Sequence, residues 1–176
     1  MRPVTKTLIT VISGFYLACL LMPGLEEKLF LNRYLVLNNG EYWRLLTVAL
    51  THGGLTHLFF NMYALLILGN TLESAIGRNK FLAIFVISQI GASFASIYFS
   101  GFNVVSVGAS GAIFGLFGAM VVISKRFGLE TKQTYIIIAI NFAIGFIFPG
   151  IDWHAHLGGL VTGFLAATVL LSPARS

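Results

Sequence analysis

The longest uncharged stretch of the chain restricts its fold more than any other feature. Between Phe81 and Ser124 there is no aspartate, glutamate, lysine or arginine. A helix needs roughly 20 mostly apolar residues to cross about 30 Å of hydrocarbon, so this stretch is about twice the length of one span. It predicts two transmembrane helices with an uncharged connection near Ser100 to Ala109.

Apolar runs of the same kind occupy most of the remaining chain. With 57% hydrophobic and 10% charged residues among 176, the composition excludes an ordinary soluble globular domain. We predict an all-α integral membrane protein, a bundle of six transmembrane helices in one domain of residues 1–176, with no room for a second, soluble domain. The predicted spans are Thr7 to Leu25, about His57 to Leu72, the two within Phe81 to Ser124, Gln133 to Phe148, and Ala155 to Leu171.

The polar segments between these runs are predicted to be loops. Glu26 to Arg44 carries three of the six acidic residues together with several aromatic ones, and it is too polar to span. We expect this segment to rest at the membrane interface with short helices of its own. Glu73 to Lys80 and Lys125 to Lys132 are predicted to be short turns.

The basic residues indicate the orientation of the chain. Its net charge of +5 comes from small groups between apolar runs rather than from a continuous basic stripe, so no nucleic-acid partner is expected. Cytoplasmic loops are enriched in lysine and arginine, which places both termini in the cytoplasm. With the N-terminus inside, the inner side holds eight of the eleven basic residues, Arg2, Lys6, Arg78, Lys80, Lys125, Arg126, Lys132 and Arg175, and the outer side holds Lys28, Arg33 and Arg44.

Polar residues at the outer ends of three spans are the candidates for function. Polar and ionisable groups at membrane depth are costly and by default mark a functional site. In the predicted topology, the second, fourth and sixth spans bring theirs to one outer level. These residues are His52, His57, Asn61, Ser110, Asp152, His154 and His156.

Ser110 is the candidate nucleophile of this set. A serine hydroxyl becomes a strong nucleophile when a neighbouring histidine takes its proton. Gly108 and Gly111 flank Ser110, so substrate backbone can approach closely, and the N–H groups at a helix start can bind an oxyanion. A serine between glycines is also common where membrane helices simply pack together, so a purely structural role for Ser110 stays open at this point.

The sixth span carries the candidate general base. His156, Gly159 and Gly163 share one helical face, and the fourth span has its own small face at Gly111, Gly115 and Gly118. Glycines at such spacing let two membrane helices touch backbone to backbone. If these faces meet, His156 lies level with Ser110; the alternative is a buried histidine that only supports packing.

The remaining roles follow from spacing. His57 and Asn61 are four residues apart, so both lie on one face of the second span and can donate to an oxyanion. No carboxylate lies within the span of His156, which predicts a Ser–His dyad rather than a triad. Asp152 is a weaker candidate for orienting His156. Phe114, one turn below Ser110, is expected to pack against the His156 ring. His154 is expected in the loop above the membrane.

These residues resemble the rhomboid family of intramembrane serine proteases. The matching residues follow the family's order and spacing over nearly the whole chain. They are Trp43-Arg44, His52, His57 to Asn61, Glu73 with Gly77, Gly108 to Gly111, and Ala155 to Gly159 with Gly163.

The resemblance implies a six-helix core with Ser110 as nucleophile and His156 as general base. It implies an oxyanion hole made of His57, Asn61 and the backbone N–H of Ser110, with Trp43 and Arg44 as structural anchors. Family members cleave transmembrane segments of other proteins near the outer surface, without a metal or other cofactor. The expected partners are therefore transmembrane substrates and membrane lipids, and the expected location is the plasma membrane of a prokaryote.

Two other functions remain open on sequence grounds. A transporter or metal-permeation protein could use the four histidines and Asp152 as ligands, although His154 and His156 would point apart on a helix. A catalytically dead rhomboid could act as a binding factor, although Ser110 and His156 are both retained.

Overall fold

The described part of the chain is mostly helical and contains two strands of two residues each. A computed structural model describes residues 1–102, 104–147 and 150–172. The helices are α1 (Pro3–Leu21), α2 (Arg33–Leu37), α3 (Arg44–Thr47), α4 (Leu55–Ile76), α5 (Arg78–Phe99), α6 (Ser110–Arg126), α7 (Lys132–Ile147) and α8 (Trp153–Leu170). The strands are β1 (Leu31–Asn32) and β2 (Val105–Ser106), and two 3₁₀ turns cover Glu26–Lys28 and Val48–Leu50.

Four of the helices, α1, α4, α5 and α8, are long and apolar enough to cross a membrane. Helices α6 and α7 are slightly shorter, at 17 and 16 residues. Most of α6 is buried between α5 and α8. No described side chain of α7 is buried, so α7 lies at the periphery of the bundle. The chain is therefore a helical membrane protein with α6 at its centre.

The first helix is displaced toward the N-terminus relative to the predicted Thr7 to Leu25. It begins at Pro3, because proline suits the first helical position, where its missing N–H costs no hydrogen bond. It ends at Leu21, just before Pro23 and Gly24, and Gly24 has a φ of 82°. Charge alone marked the predicted boundaries, and these turn residues account for the shift.

The predicted turn from Glu73 to Lys80 is wrong. Helix α4 continues to Ile76, and Gly77 alone, at φ 81°, separates it from α5. Glu73 is buried in the last turn of α4, where its carboxylate accepts the backbone N–H groups of Val4 and Thr5 and the Thr5 hydroxyl. A helix start has free N–H groups and a partial positive charge, so a carboxylate from α4 stabilises the start of α1.

The predicted location of His154 is also wrong. Helix α8 begins at Trp153 rather than at Ala155, so His154 lies in its first turn and not in a loop. Asp152 is the N-cap residue, and its carboxylate accepts the Ala155 N–H. The end predicted for the fifth span, Phe148, lies outside the described residues.

The first loop, Glu26 to Arg44, folds into the 3₁₀ turn, β1 and α2. Arg44 is 4% exposed, pairs with Glu41 at 2.6 Å, and donates to the carbonyls of Glu27 and Phe30. Trp43 is exposed, and its indole N–H donates to the Lys28 carbonyl at 3.1 Å. Both side chains thus make hydrogen bonds to backbone carbonyls at the start of the loop.

The pairing of β1 with β2 was not predicted. Leu31 lies opposite Ser106 and Asn32 opposite Val105 in an antiparallel ladder. Each strand is too short for an alternating pattern to be visible in the sequence. The ladder joins the first loop to the segment that precedes Ser110.

Helices α6 and α8 meet along their glycines. A Cβ atom added at Gly159 would overlap the backbone of Gly111, and one added at Gly163 would overlap that of Gly115. Farther along, a Cβ on Gly118 would lie 2.8 Å from the backbone nitrogen of Phe164. The two backbones are therefore in direct contact, as the glycine spacing predicted.

We predict that Gly163→Ala lowers the free energy of unfolding by about 1–3 kcal/mol, because the added methyl group forces the two helices apart. The matched control is Gly14→Ala on α1, where nothing lies within 4 Å of an added Cβ. The control should be neutral or raise stability by up to about 1 kcal/mol. Thermal unfolding in detergent measures both variants. Equal melting temperatures of Gly163→Ala and Gly14→Ala would contradict direct contact between the α6 and α8 backbones.

Candidate active site

Ser110 and His156 lie together at the end of the α6–α8 contact where both helices begin. Ser110 is the first residue of α6, and His156 is in the first turn of α8. The His156 Nε2 and Ser110 Oγ atoms are 3.0 Å apart, a hydrogen-bond distance. His156 is 8% exposed, so this pair is largely shielded from solvent. A serine and a histidine in this geometry can perform nucleophilic acyl transfer.

Phe114 holds the imidazole ring from the side of α6. The two rings are stacked, with centroids 4.1 Å apart and planes at 11°. The Nδ1 atom of His156 has no hydrogen-bond partner among the described residues. The stack with Phe114 therefore orients the His156 ring, a role that a carboxylate has in a Ser–His–Asp triad.

The backbone before Ser110 is packed closely against α4, and the helix start at Ser110 has free N–H groups. Gly108 has a φ of 112°, which favours glycine, and a Cβ there would lie 2.8 Å from Cε1 of His57. The first intrahelical bond shown for α6 runs from the Ile113 N–H to the Ala109 carbonyl. The N–H groups of the first turn, Ser110 included, precede it and have no acceptor within the helix.

His57 and Asn61 lie on α4, on the side facing Gly108. The His57 ring is in close contact with Gly108, two residues from Ser110. Asn61 is 6% exposed, and its amide nitrogen donates to the His57 carbonyl at 2.9 Å. Its Oδ1 atom has no partner among the described residues. Asn61 is thus beside the site with its amide group directed at its own helix.

His52 is buried in the loop before α4. It is 4% exposed, and neither ring nitrogen has a partner in the described parts of the chain. Its ring meets those of His57 and Tyr16 edge to face, with centroids 5.2 and 6.5 Å away. Burial, with a smaller effect of the His57 charge, lowers the pKa of His52 to about 4. A neutral His52 therefore packs behind His57.

Asp152 has no hydrogen bond to the His156 ring. Its carboxylate instead accepts the hydroxyls of Ser96, Ser100 and Ser106 and the Ala155 N–H. Burial alone raises the pKa of Asp152, but these hydrogen bonds outweigh it, and the net pKa lies below the usual range. Sequence reasoning missed the serines, although Ser96 and Ser100, four apart near membrane depth, were a visible signal.

The histidines of α8 point in different directions. His154 Nδ1 lies 3.1 Å from the Ser100 hydroxyl, on the α5 side, whereas His156 reaches Ser110 on α6. In the described part of the chain no three histidine, cysteine, aspartate or glutamate side chains are grouped to hold a metal ion. This arrangement does not favour a metal-permeation site.

The fold and the site define a helical membrane protein with a serine–histidine pair between two glycine-packed helices. Residues 39–173 match the Rhomboid domain family. The chain belongs to the rhomboid family, and it is an integral membrane protein.

The relatives of the chain come from bacteria and plants. It is 43% identical to Rhomboid protease GluP of Bacillus subtilis over 76% of this chain and 27% of GluP. It is 41% identical to RHOMBOID-like protein 5 of Arabidopsis thaliana over 85% of this chain and 50% of that protein. It is 36% identical to Inactive RHOMBOID-like protein 8 of the same plant, over 76% of this chain and 39% of that protein. The chain thus spans about a quarter to a half of the length of these relatives.

We predict that burial of neutral His52 makes the fold sensitive to acid. The unfolded chain protonates this residue near its usual pKa of about 6.5, and the folded protein does so only at about 4. Its contribution to stability is thus present above about pH 6.5 and is lost as the pH falls toward 4.

The variant His52→Phe keeps an aromatic ring against Tyr16 but has no group that can be protonated. Its free energy of unfolding should therefore fall less than that of the wild type between about pH 7 and 4, by at most about 3 kcal/mol. Thermal unfolding in detergent across this range measures the difference. Parallel curves for the two proteins would show that His52 is not buried as a neutral ring.

Proposed function

We propose that this chain is a serine endopeptidase that hydrolyses peptide bonds in or near transmembrane segments of other membrane proteins. The observation that carries the proposal is the 3.0 Å distance between His156 Nε2 and Ser110 Oγ. Membership of the rhomboid family, and a relative named as a rhomboid protease, support the same class of reaction. No cofactor is needed for this chemistry.

The dyad would work by acyl transfer. His156 takes the Ser110 proton as the hydroxyl oxygen attacks the scissile carbonyl carbon, and a tetrahedral oxyanion forms. The intermediate collapses when His156 returns that proton to the leaving amine nitrogen, which leaves an ester on Ser110. A water molecule, deprotonated by His156, then hydrolyses the ester and restores the enzyme.

The oxyanion would be bound by the Ser110 backbone N–H, His57 and the Asn61 amide. The location of Ser110 at the α6 start and of the His57 ring beside Gly108 supports these roles, and Asn61 lies one turn along α4 from His57. The Asn61 amide nitrogen now bonds the His57 carbonyl, so a change of its side-chain torsions has to accompany oxyanion binding. Preorganised donors of this kind stabilise the transition state more than the substrate.

The orientation of the protein is part of the proposal. With α1 and α4–α8 as six spans of one membrane domain covering residues 1–176, both termini are cytoplasmic and the site opens to the extracytoplasmic side. The distribution of lysine and arginine supports this topology, with Arg78, Lys80, Lys125 and Arg126 at the end of the bundle away from Ser110. The first loop then lies at the outer interface, and a prokaryotic plasma membrane suits the arrangement.

Substrates are proposed to be single transmembrane segments that unwind near the outer surface. Ser110 is partly buried at the start of α6, so a peptide has to be extended there for its carbonyl carbon to reach the hydroxyl. A non-catalytic binding role would leave the Ser110 hydroxyl unreactive, and one relative is named as an inactive RHOMBOID-like protein. Reaction with a fluorophosphonate, which modifies activated serines, separates the two functions.

We predict that Ser110→Ala and His156→Ala each abolish cleavage of a single-span membrane substrate, by about 10⁴-fold or more, along with fluorophosphonate labelling. The matched control is His154→Ala, which removes a histidine from the same turn of α8 that contacts Ser100 rather than Ser110. It should retain both activities to within about tenfold. Full labelling of His156→Ala, or loss only in His154→Ala, would contradict the dyad.

A further inference from the structure

The Asp152 carboxylate lies at the centre of a buried hydrogen-bond cluster. Its side chain is 11% exposed, and Ser96 and Ser106 are 6% and 8% exposed. Oδ2 accepts both of these hydroxyls, whose oxygens are 2.9 Å apart. Oδ1 accepts the Ser100 hydroxyl at 2.9 Å and the Ala155 N–H at 3.2 Å. Four donors thus satisfy one anionic group, which makes these hydrogen bonds strong.

The cluster joins three elements at the outer end of the bundle. Ser96 and Ser100 are at the end of α5 and just beyond it, Ser106 lies on β2, and Asp152 caps α8. Ser106 precedes Ser110 by four residues, and Asp152 precedes His156 by four. One carboxylate therefore connects the two segments that carry the two members of the dyad.

The glycine contact alone does not restrain these segments completely. Glycines bring the two backbones together but have no side chains of their own to oppose a small rotation or sliding of α8 against α6. A hydrogen bond of 3.0 Å between His156 and Ser110 does not tolerate such movement. A displacement of about 1 Å can cost roughly 10²-fold in rate.

We propose that Asp152 is a positioning residue, which fixes the first turn of α8 against the segment before Ser110 and so sets the Ser110–His156 distance. It does not touch the reacting atoms. The inference deepens the proposed function and rests on it. It differs from direct orientation of the imidazole, because the carboxylate acts through three serine hydroxyls and a backbone N–H.

The test is the time course of fluorophosphonate labelling, followed to completion. Asp152→Ala should lower the rate constant by about ten- to a hundredfold, while the final labelled fraction of folded protein stays at the wild-type value. Asp152→Asn should recover the rate constant to within about threefold, because its amide oxygen still caps α8 and its NH₂ group can donate to serine oxygens. A merely stabilising residue would instead lower the final fraction and leave the rate constant unchanged.

The control is Ser74→Ala, which removes a hydroxyl that accepts a hydrogen bond from Arg2 at 2.6 Å, at the end of the bundle away from Ser110. Its rate constant should match the wild type. The serines provide a second comparison: Ser106→Ala, which cuts the link toward Ser110, should slow labelling more than Ser100→Ala. If Asp152→Ala does not fold, the comparison of Ser106→Ala with Ser100→Ala tests the positioning role instead.

The outcomes separate the inference from the function on which it rests. A wild-type rate constant in Asp152→Ala, or in Ser106→Ala where Asp152→Ala does not fold, would overturn the positioning role. A lower final labelled fraction with an unchanged rate constant would also overturn the positioning role. Absence of labelling in the wild-type protein would instead overturn the proposed function.

Discussion

Direct contact between the backbones of α6 and α8 is the constraint on which the site depends. Helices in a bilayer gain no hydrophobic driving force from one another, because lipid tails are as apolar as their side chains. Close packing at Gly111, Gly115, Gly159 and Gly163 supplies dispersion contact instead. The same contact sets the separation of the two helices at the level of Ser110, where a histidine on one can reach a hydroxyl on the other.

The buried polar groups differ in how well they are hydrogen-bonded. Glu73, Arg44 and Asp152 each have several partners and join segments that are distant in sequence. Near Ser110, by contrast, the Asn61 Oδ1 atom, the His156 Nδ1 atom and both ring nitrogens of His52 have no partner in the described structure. Unsatisfied polar atoms are costly in a folded interior and call for a reason. For the atoms near Ser110, the polar backbone of the proposed substrate would be such a reason.

Sequence reasoning succeeded where the structure repeats at helical spacing. The spacing from His156 to Gly163 identified the face that contacts α6, and Ser110 begins a helix directly after the predicted connection near Ser100 to Ala109. It failed where long-range hydrogen bonds decide the structure. Glu73 was assigned to a turn because charge was taken to mark loops, and its partners on α1 are 68 and 69 residues away. The β1–β2 ladder and the serines around Asp152 likewise leave no periodic signal.

The most direct test of the central claim is the fluorophosphonate labelling rate of Gly159→Ala. Gly159 is near the dyad but touches no reacting atom, and an added Cβ would overlap the Gly111 backbone next to Ser110. If backbone contact sets the dyad, folded Gly159→Ala should label more slowly by about tenfold or more. Labelling at the wild-type rate by folded Gly159→Ala would show that the pair does not depend on the contact between α6 and α8.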